Sequence, residues 1–155
     1  MESKINQEEL IKKFGPDLKL DIGCGKNKIQ GFIGIDIKKD SDADIVCSAL
    51  NLPFESSTVS EIHCSHLVEH FVPEDAQQFF NEIHRVLKNR GCAFLKIDMD
   101  WSEKRLLRKD PEHKKRYSVE EIKEMVKSFN FSKVKKEIYR YKWHLRTKIF
   151  VELRK

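Results

Sequence analysis

The stretch Leu18-Lys-Leu-Asp-Ile-Gly-Cys-Gly25 runs from a short apolar strand into a glycine turn, and Ile33-Gly-Ile-Asp36 follows as a second short strand ending on an acid. Gly23 and Gly25 permit a tight turn and let a ligand approach the backbone where a Cβ would collide. A carboxylate at the tip of the neighbouring strand is placed to accept hydrogen bonds from a ribose diol. Together these features describe an adenosine-cofactor site at the carboxyl ends of parallel strands. A dinucleotide fingerprint would need a third glycine, a helix facing a pyrophosphate and an acid about 20 residues on. Here Lys26, Asn27 and Lys28 follow Gly25, and Asp36 comes only 11 residues after it. With Gly31 in between, little room remains for a full helix.

Further along, short strands are expected at 18–22, 32–36, 44–47 and 60–65, each bounded by Gly, Asp, Pro or Ser. Asn6 is placed to cap a first helix, with Glu9 able to reach back. Pro73 opens a second helix with Glu74 and Asp75 in its first turn, which suits the helix dipole. Its apolar set, Ala76, Phe79, Phe80, Ile83, Val86 and Leu87, keeps a 3.6-residue period, and Gly91 is the expected stop. A buried strand over 92–98 leads into a charged segment from Trp101 to Tyr117. Ser118-Val-Glu-Glu121 reads as a capping box for a helix whose inward stripe is Ile122, Met125, Val126 and Phe129. Strands at 133–139 and 147–153, with no helix between them, close the chain as an antiparallel edge. Alternation of strands and helices before that point implies a parallel sheet.

The chain has 155 residues and reads as one domain. It divides into an N-terminal helix (1–15), a cofactor-binding half (16–100) and a basic, substrate-facing half (101–155). Residues 1–100 hold 12 Lys and Arg against 17 Asp and Glu, whereas residues 101–155 hold 18 against 8. The overall charge of +5 therefore conceals a strongly basic final third. No apolar run approaches the ~20 residues of a membrane span, and the N-terminus lacks the apolar core of a signal peptide. Cys24, Cys47, Cys64 and Cys92 show no CxxC spacing, so they read as reduced packing residues, and a cytoplasmic location is expected.

Asp21-Ile-Gly-Cys-Gly25, Asn51-Leu-Pro-Phe54, Glu61-Ile-His-Cys-Ser-His-Leu-Val-Glu-His70 and Ile83-His-Arg-Val-Leu-Lys-Asn-Arg-Gly91 together resemble the class I S-adenosylmethionine-dependent methyltransferases, in particular the small "type 11" kind. The resemblance spans roughly residues 17 to 153. It implies an α/β fold: a Rossmann-like, doubly wound, mostly parallel seven-stranded sheet with an antiparallel C-terminal strand and a reduced first helix. It also implies S-adenosyl-L-methionine as cofactor. On this pattern Asp21, Gly23, Cys24 and Gly25 line the methionine end, and Asp36 takes the ribose hydroxyls. Ile37 covers one adenine face, Ser48, Ala49 and Leu50 sit at the adenine edge, and Ser65 and His66 face the methionine part. Many relatives carry Asp where this chain has Ser48, a hydroxyl that can still accept a hydrogen bond but without charge assistance.

Methyl transfer depends chiefly on alignment, and a base is needed only where the acceptor must lose a proton. The candidate bases are His66, Glu69, Asp98 and His113, with Asp100 beside them. Ser65-His-Leu-Val68 departs from the Pro-Pro-aromatic motif of nucleobase amino methylation, and Cys64 lacks the Pro-Cys context of cytosine C5 methylation. His66-Leu-Val-Glu-His70 also matches the inverted zinc-protease motif, which requires a helix to bring both histidines to one face. No third ligand is evident, so no metal is expected beyond adventitious binding through His63, His66 and His70. Lys104, Arg105, Arg108, Lys109, Lys114, Lys115 and Arg116, with Arg140, Lys142, Arg146 and Lys148 interleaved with Tyr139, Tyr141 and Trp143, form an expected basic rim. Such a rim suits a small anionic or saccharide acceptor, or RNA. A catalytically silent binding module of the same fold is the remaining alternative.

Overall fold

In the computed structural model, which describes residues 6–100, 102–141 and 144–155, apolar alternation decides how the strands lie. Strands β1 (Leu18–Ile22), β2 (Ile33–Asp36), β3 (Ile45–Val46), β4 (Val59–Ser65), β5 (Leu87–Met99), β6 (Phe131–Tyr141) and β7 (His144–Arg154) form one sheet in the order β3-β2-β1-β4-β5-β7-β6. The first five run parallel, and β7 pairs antiparallel with both β5 and β6. The chain winds outward from β1 in one direction and then from β4 in the other, as expected of a doubly wound sheet.

Register places Leu20, Ile62, Ala93 and Leu153 in one row, and Ile22, Cys64, Leu95 and Val151 in the next. All are buried and belong to the core cluster. Helix α2 (Pro73–Val86) lays Ala76, Phe79, Phe80, Ile83 and Val86 into this core, and α4 (Val119–Met125) adds Ile122. Leu10 of α1 (Gln7–Phe14) joins the same cluster. Asn6 caps α1 by accepting the Glu8 amide, and Ser118 and Glu121 form the expected capping box reciprocally.

Several elements differ from the sequence expectation. Strands β6 and β7 extend beyond 133–139 and 147–153 at both ends, and α4 ends at Met125, leaving Val126 and Phe129 packed into the core just past it. Helix α2 stops at Val86, not at Gly91, because Leu87 pairs with Val59 and begins β5. The charged segment after β5 contains a short helix, α3 (Glu103–Lys109), capped by Ser102 and anchored by buried Leu106.

Between β1 and β2 the reduced first helix is reduced to a loop over residues 23–32. That loop is held by Asp21, whose Oδ2 accepts the Ile29 amide at 2.9 Å, and by Lys28, which lies across Gly34 and ion-pairs with Asp44 at 2.9 Å. A Cβ on Gly34 would stand 2.6 Å from Lys28 Cδ and 3.1 Å from Cys24 Sγ. Further along the same sheet face, Phe32 meets His63 edge to ring and His63 meets Phe94 in a tilted pair, with centroids 5.1 and 5.4 Å apart. Phe94 remains 37% exposed there. The core should therefore respond asymmetrically to truncation. Phe79→Ala, fully buried, is expected to cost about 3–5 kcal/mol, and Phe94→Ala well under half of that, as read from denaturant midpoints at constant m-value.

Candidate active site

The carboxyl ends of β1, β2 and β4 open onto one cleft. Gly23 turns the chain out of β1 with φ +73, its amide bonded to the Ile35 carbonyl at 2.8 Å. Gly25, at φ +56, donates its amide to Asp36 Oδ2 at 2.9 Å, and the Lys38 amide donates to Asp36 Oδ1 at 2.8 Å. Each Asp36 oxygen thus holds one backbone donor, which fixes the carboxylate plane. A carboxylate has about four acceptor positions, so two remain for a ligand.

One cavity of about 170 Å³ is lined by Gly23, Asp36, Ile37, Ser48, Ala49 and Leu50, with Leu67, Phe71 and Asp75 closing it from the loop after β4 and from α2. Ser48 Oγ accepts the Leu50 amide at 3.2 Å. A wider cavity of about 560 Å³ continues from Gly23, Gly25, Asp36 and Ile37 to His66, His70, Lys38, Pro111, Glu112 and Lys114. Sequence reasoning brought the first group of residues together, expected Lys114 in the basic rim, and missed Leu67, Phe71 and Lys38. Leu67 and Phe71 are apolar residues in a loop directly after a strand, which was the available signal.

Three of the cofactor candidates, Asp21, Cys24 and Ser65, lie away from these cavities, and of the candidate bases Asp98 and His113 line a neighbouring recess with His66. Asp21 points to the sheet face beneath the 23–32 loop, where burial raises its carboxyl and the Ile29 amide partly offsets this. Cys24 packs against Gly34, and burial, together with the Asp21 and Asp36 charges, pushes its thiol up to about 11. Burial likewise raises the Cys64 and Cys92 thiols, so none of the three is a thiolate at neutral pH. Ser65 is exposed at the end of β4 and lines neither cavity.

His66-Leu-Val-Glu-His70 does not form the α-helix that a zinc-protease site requires. His66 adopts φ +59, outside any helix, and only a single 3-10 turn follows over Val68–His70. Glu69 is fully buried, and its Oε1 accepts the Asp98 amide at 3.1 Å and lies 3.2 Å from His66 Nδ1. Its Oε2 is buried without a hydrogen-bond partner among the described residues. His66 itself is half-exposed, with Lys148 Nζ 2.7 Å from its Nε2. The three-histidine set suggested by sequence is not assembled, because His63 faces Phe32 and Phe94 on the other side of the sheet.

Among the basic residues, several are already engaged. Lys109 pairs with Asp98, Arg105 with Asp100 at 3.2 Å, Lys115 with Glu121 at 2.9 Å, and Lys38 with Glu112 at 2.9 Å. Arg116 donates to the Asp100 carbonyl at 2.7 Å. Lys142 and Trp143 lie outside the described residues, as do Trp101 and the side chain of Tyr141.

The family model described as "Methyltransferase domain" matches residues 20–95. No curated protein matches the sequence significantly. The fold is similar to that of a SAM-dependent methyltransferase from Archaeoglobus fulgidus, at 17% identity and TM-score 0.73 over 96% of this chain and 92% of that one. It is also similar to the YcgJ protein of Bacillus subtilis, at 16% identity and TM-score 0.69 over 96% and 97%. A third likeness is to phosphoethanolamine N-methyltransferase 2 of Haemonchus contortus, at 15% identity and TM-score 0.69 over all of this chain and 54% of that one. These likenesses bear on the fold, which is the Rossmann-like fold of class I methyltransferases. The match across residues 20–95 falls on the strands and turns that build the cleft, and it is this part of the chain that carries the methyltransferase-domain pattern. Among the described residues no helix is long and apolar enough to cross a membrane.

The Asp98 side chain supplies a pH test of this end of the sheet. Burial works to raise its carboxyl, but the Lys109 ammonium, with His66 and Lys148 nearby, outweighs that and holds it below the ordinary value. Its folded value lies below its unfolded one of about 3.9. The associated stability is therefore present above that pH and lost as pH falls through the folded value. Asp98→Asn should be less stable than the parent at neutral pH, and the gap should narrow by about pH 3, measured by urea unfolding at both values.

Proposed function

We propose that this methyltransferase acts on a small acceptor bearing a phosphate or carboxylate, with His66 as the base that takes the acceptor's proton. The observation that carries the reading is the convergence of cations on the wider cavity. Lys38 and Lys114 line it, and Lys109 lines its extension toward Asp98 and His113. Lys148 reaches His66 from β7. Asp98, Asp110 and Glu112 share these walls, so an anionic acceptor would take the place of the Glu112 and Asp98 carboxylates on the Lys38 and Lys109 ammonium groups. The Haemonchus contortus neighbour, whose structure holds phosphomonomethylethanolamine and S-adenosylhomocysteine, supports the same class of acceptor.

The cleft fits the cofactor in its donor set and its clearances. Asp36, with two acceptor positions left, would hold the ribose hydroxyls. Ile37, 68% exposed beside the cavity, would cover the adenine, with Ser48, Ala49 and Leu50 at its edge. Gly23 leaves open the backbone beside Leu67, where an added Cβ would stand 3.4 Å from that side chain. Asp21 would act through the loop it holds at Ile29, a positioning role, since its carboxylate lies beneath that loop. When bound, S-adenosylmethionine supplies a methyl group on a sulfonium, whose departure as a neutral thioether gives the reaction its driving force.

The residues' own work is to hold and deprotonate the acceptor. His66 Nδ1 faces the buried Glu69 carboxylate, which fixes the tautomer with its proton on Nδ1 and leaves Nε2 as the basic atom. Lys148 donates to Nε2. An anionic acceptor would draw that ammonium to itself and free Nε2 to accept a proton from a hydroxyl as its oxygen attacks the methyl carbon. Positive φ at His66 keeps the ring turned toward the cavity, a strain of the kind found where function needs it.

Calorimetric titration with S-adenosylmethionine should show that Asp36→Ala binds about 10- to 100-fold more weakly, the loss of one charge-assisted hydrogen bond or slightly more. With labelled methyl donor, phosphorylated hydroxyl acceptors should turn over faster than their neutral counterparts, and the advantage should shrink as salt is raised. His66→Gln should lower kcat by about 10²–10⁴-fold with little change in cofactor affinity. Equal turnover of neutral and anionic acceptors at all salt concentrations would refute the acceptor class. Salt-sensitive retention of single-stranded RNA, methylated in preference to small acceptors, would replace it with RNA.

A further inference from the structure

The two histidines of His66-Leu-Val-Glu-His70 part company in the fold. His66 turns to Glu69, Asp98 and Lys148, whereas His70 meets His113, from the loop after α3, with ring centroids 4.7 Å apart. Asp110 stands beside them, its Oδ2 3.8 Å from His113 Nε2. One ligand-capable atom from each of His70, Asp110 and His113 lies within 4.8 Å of the others. We propose that these three residues form a binding site for one divalent transition-metal cation of zinc-like preference, at the mouth of the acceptor cavity.

Three features support this. The first is the spacing. At 3.8 Å, Asp110 Oδ2 and His113 Nε2 are too far apart for a hydrogen bond, but both can reach an ion seated between them at the usual ~2.0–2.2 Å. The second is orientation. His113 is only 8% exposed, and its Nδ1 lies 3.0 Å from the Leu106 carbonyl oxygen. That carbonyl can only accept, so Nδ1 carries the proton and Nε2 presents its lone pair to Asp110 and His70. Metal-binding histidines are typically fixed through the other nitrogen in this way.

The third is rigidity. Asp110 Oδ1 accepts the Glu112 amide at 2.8 Å, and the Asp110 carbonyl accepts the His113 amide at 3.1 Å. Asp110-Pro111-Glu112-His113 is thereby a closed turn that points both ligands the same way. The turn is fastened to the His70 side of the cleft on either flank of that residue. The Glu69 carbonyl accepts the Lys114 amide at 2.9 Å, and the Phe71 carbonyl accepts the Tyr117 hydroxyl at 2.7 Å. The ligands are thus held together by backbone and buried contacts that need no ion.

Two imidazoles and one carboxylate with open positions are the donor set of borderline divalent cations, Zn²⁺, Co²⁺ or Fe²⁺, and not of Mg²⁺ or Ca²⁺, which prefer oxygen throughout. The His66, Glu69 and Asp98 cluster is the other such grouping among the described residues. There Asp98 is already engaged by Lys109 and His66 Nε2 by Lys148, so a cation would have to displace two ammonium groups, which makes it the poorer host. The open positions of an ion on His70, Asp110 and His113 would face the cavity shared with Lys38, His66 and Lys109. There the ion could take an acceptor oxygen. Only that use rests on the methyl-transfer reading; the site itself does not.

The test is binding by the full chain after chelator treatment, with no cofactor or acceptor present. Co²⁺ is followed by visible absorption and Zn²⁺ by calorimetry. One saturable equivalent is expected, weakened at least tenfold in both His70→Gln and Asp110→Asn and unchanged in His63→Gln. Both substitutions fall on half-buried positions, and circular dichroism checks that each variant keeps the fold. Absence of saturable binding overturns the proposal. So does binding that survives both substitutions, or binding abolished by His66→Gln and untouched by His70→Gln, which would place the ion in the neighbouring cluster. Because S-adenosylmethionine affinity is read separately, failure here leaves the methyl-transfer reading standing.

Discussion

Glu69 is the point on which the functional end of the sheet hangs. A carboxylate with no exposed surface is costly unless it is paired and hydrogen-bonded, and the three segments around this one are arranged to meet it. The loop after β4 brings His66 to Oε1, the end of β5 brings the Asp98 amide to the same atom, and the Glu69 carbonyl receives Lys114 and Lys115 from the loop that follows α3. One residue thereby fixes His66, the end of the neighbouring strand and the basic segment relative to one another. Its Oε2 has no hydrogen-bond partner among the described residues, so the arrangement is poised and not saturated.

That arrangement is possible because parallel strands collect loops at one end. In the order β3-β2-β1-β4-β5, the carboxyl ends of β1 and β2 carry the glycine turn and Asp36, and those of β4 and β5 carry His66 and Asp98. The ligand crevice lies where the winding reverses, between β1 and β4. Loss of the first crossover helix leaves this untouched. Asp21, Lys28 and Asp44 pin the loop that replaces it, and they do so with hydrogen bonds and an ion pair instead of helix packing.

What the sequence made legible was local chemistry with a fixed spacing. Gly23, Gly25 and Asp36 could be placed together because a strand, a turn and a second strand leave few geometries. Ser118 with Glu121 could be read as a cap because a capping box is complete within four residues. The end of α2 was not legible, since Leu87 continues the helical stripe and only its pairing with Val59, far away in sequence, diverts it into a strand. Burial of Glu82 was hidden for the same reason. Its acid is made tolerable by Arg85 and by the amide of Leu52, 30 residues earlier. His66 and His70 read as a pair by spacing, but positive φ at His66 separates them, and no helical periodicity could have shown that.

The charge asymmetry of the chain has a structural meaning beyond attraction of a ligand. The acidic first two-thirds and the basic final third are not two surfaces, because their charges interlock: Lys38 with Glu112, Asp98 with Lys109, Asp100 with Arg105, and His66 with Lys148. Each of these contacts brings residues 103–148 back onto the carboxyl ends of β2, β4 and β5. Exposed pairs of this kind contribute little to stability individually, and the buried core does not need them. Their effect is positional. They hold a mobile class of side chain over the cleft, with Lys38 and Lys109 each tethered by an acid that a ligand's anion could replace, and Lys148 by His66. A cleft built this way keeps its cations close to the reacting atoms without burying them unpaired, and it reconciles a strongly basic segment with a site that must remain open.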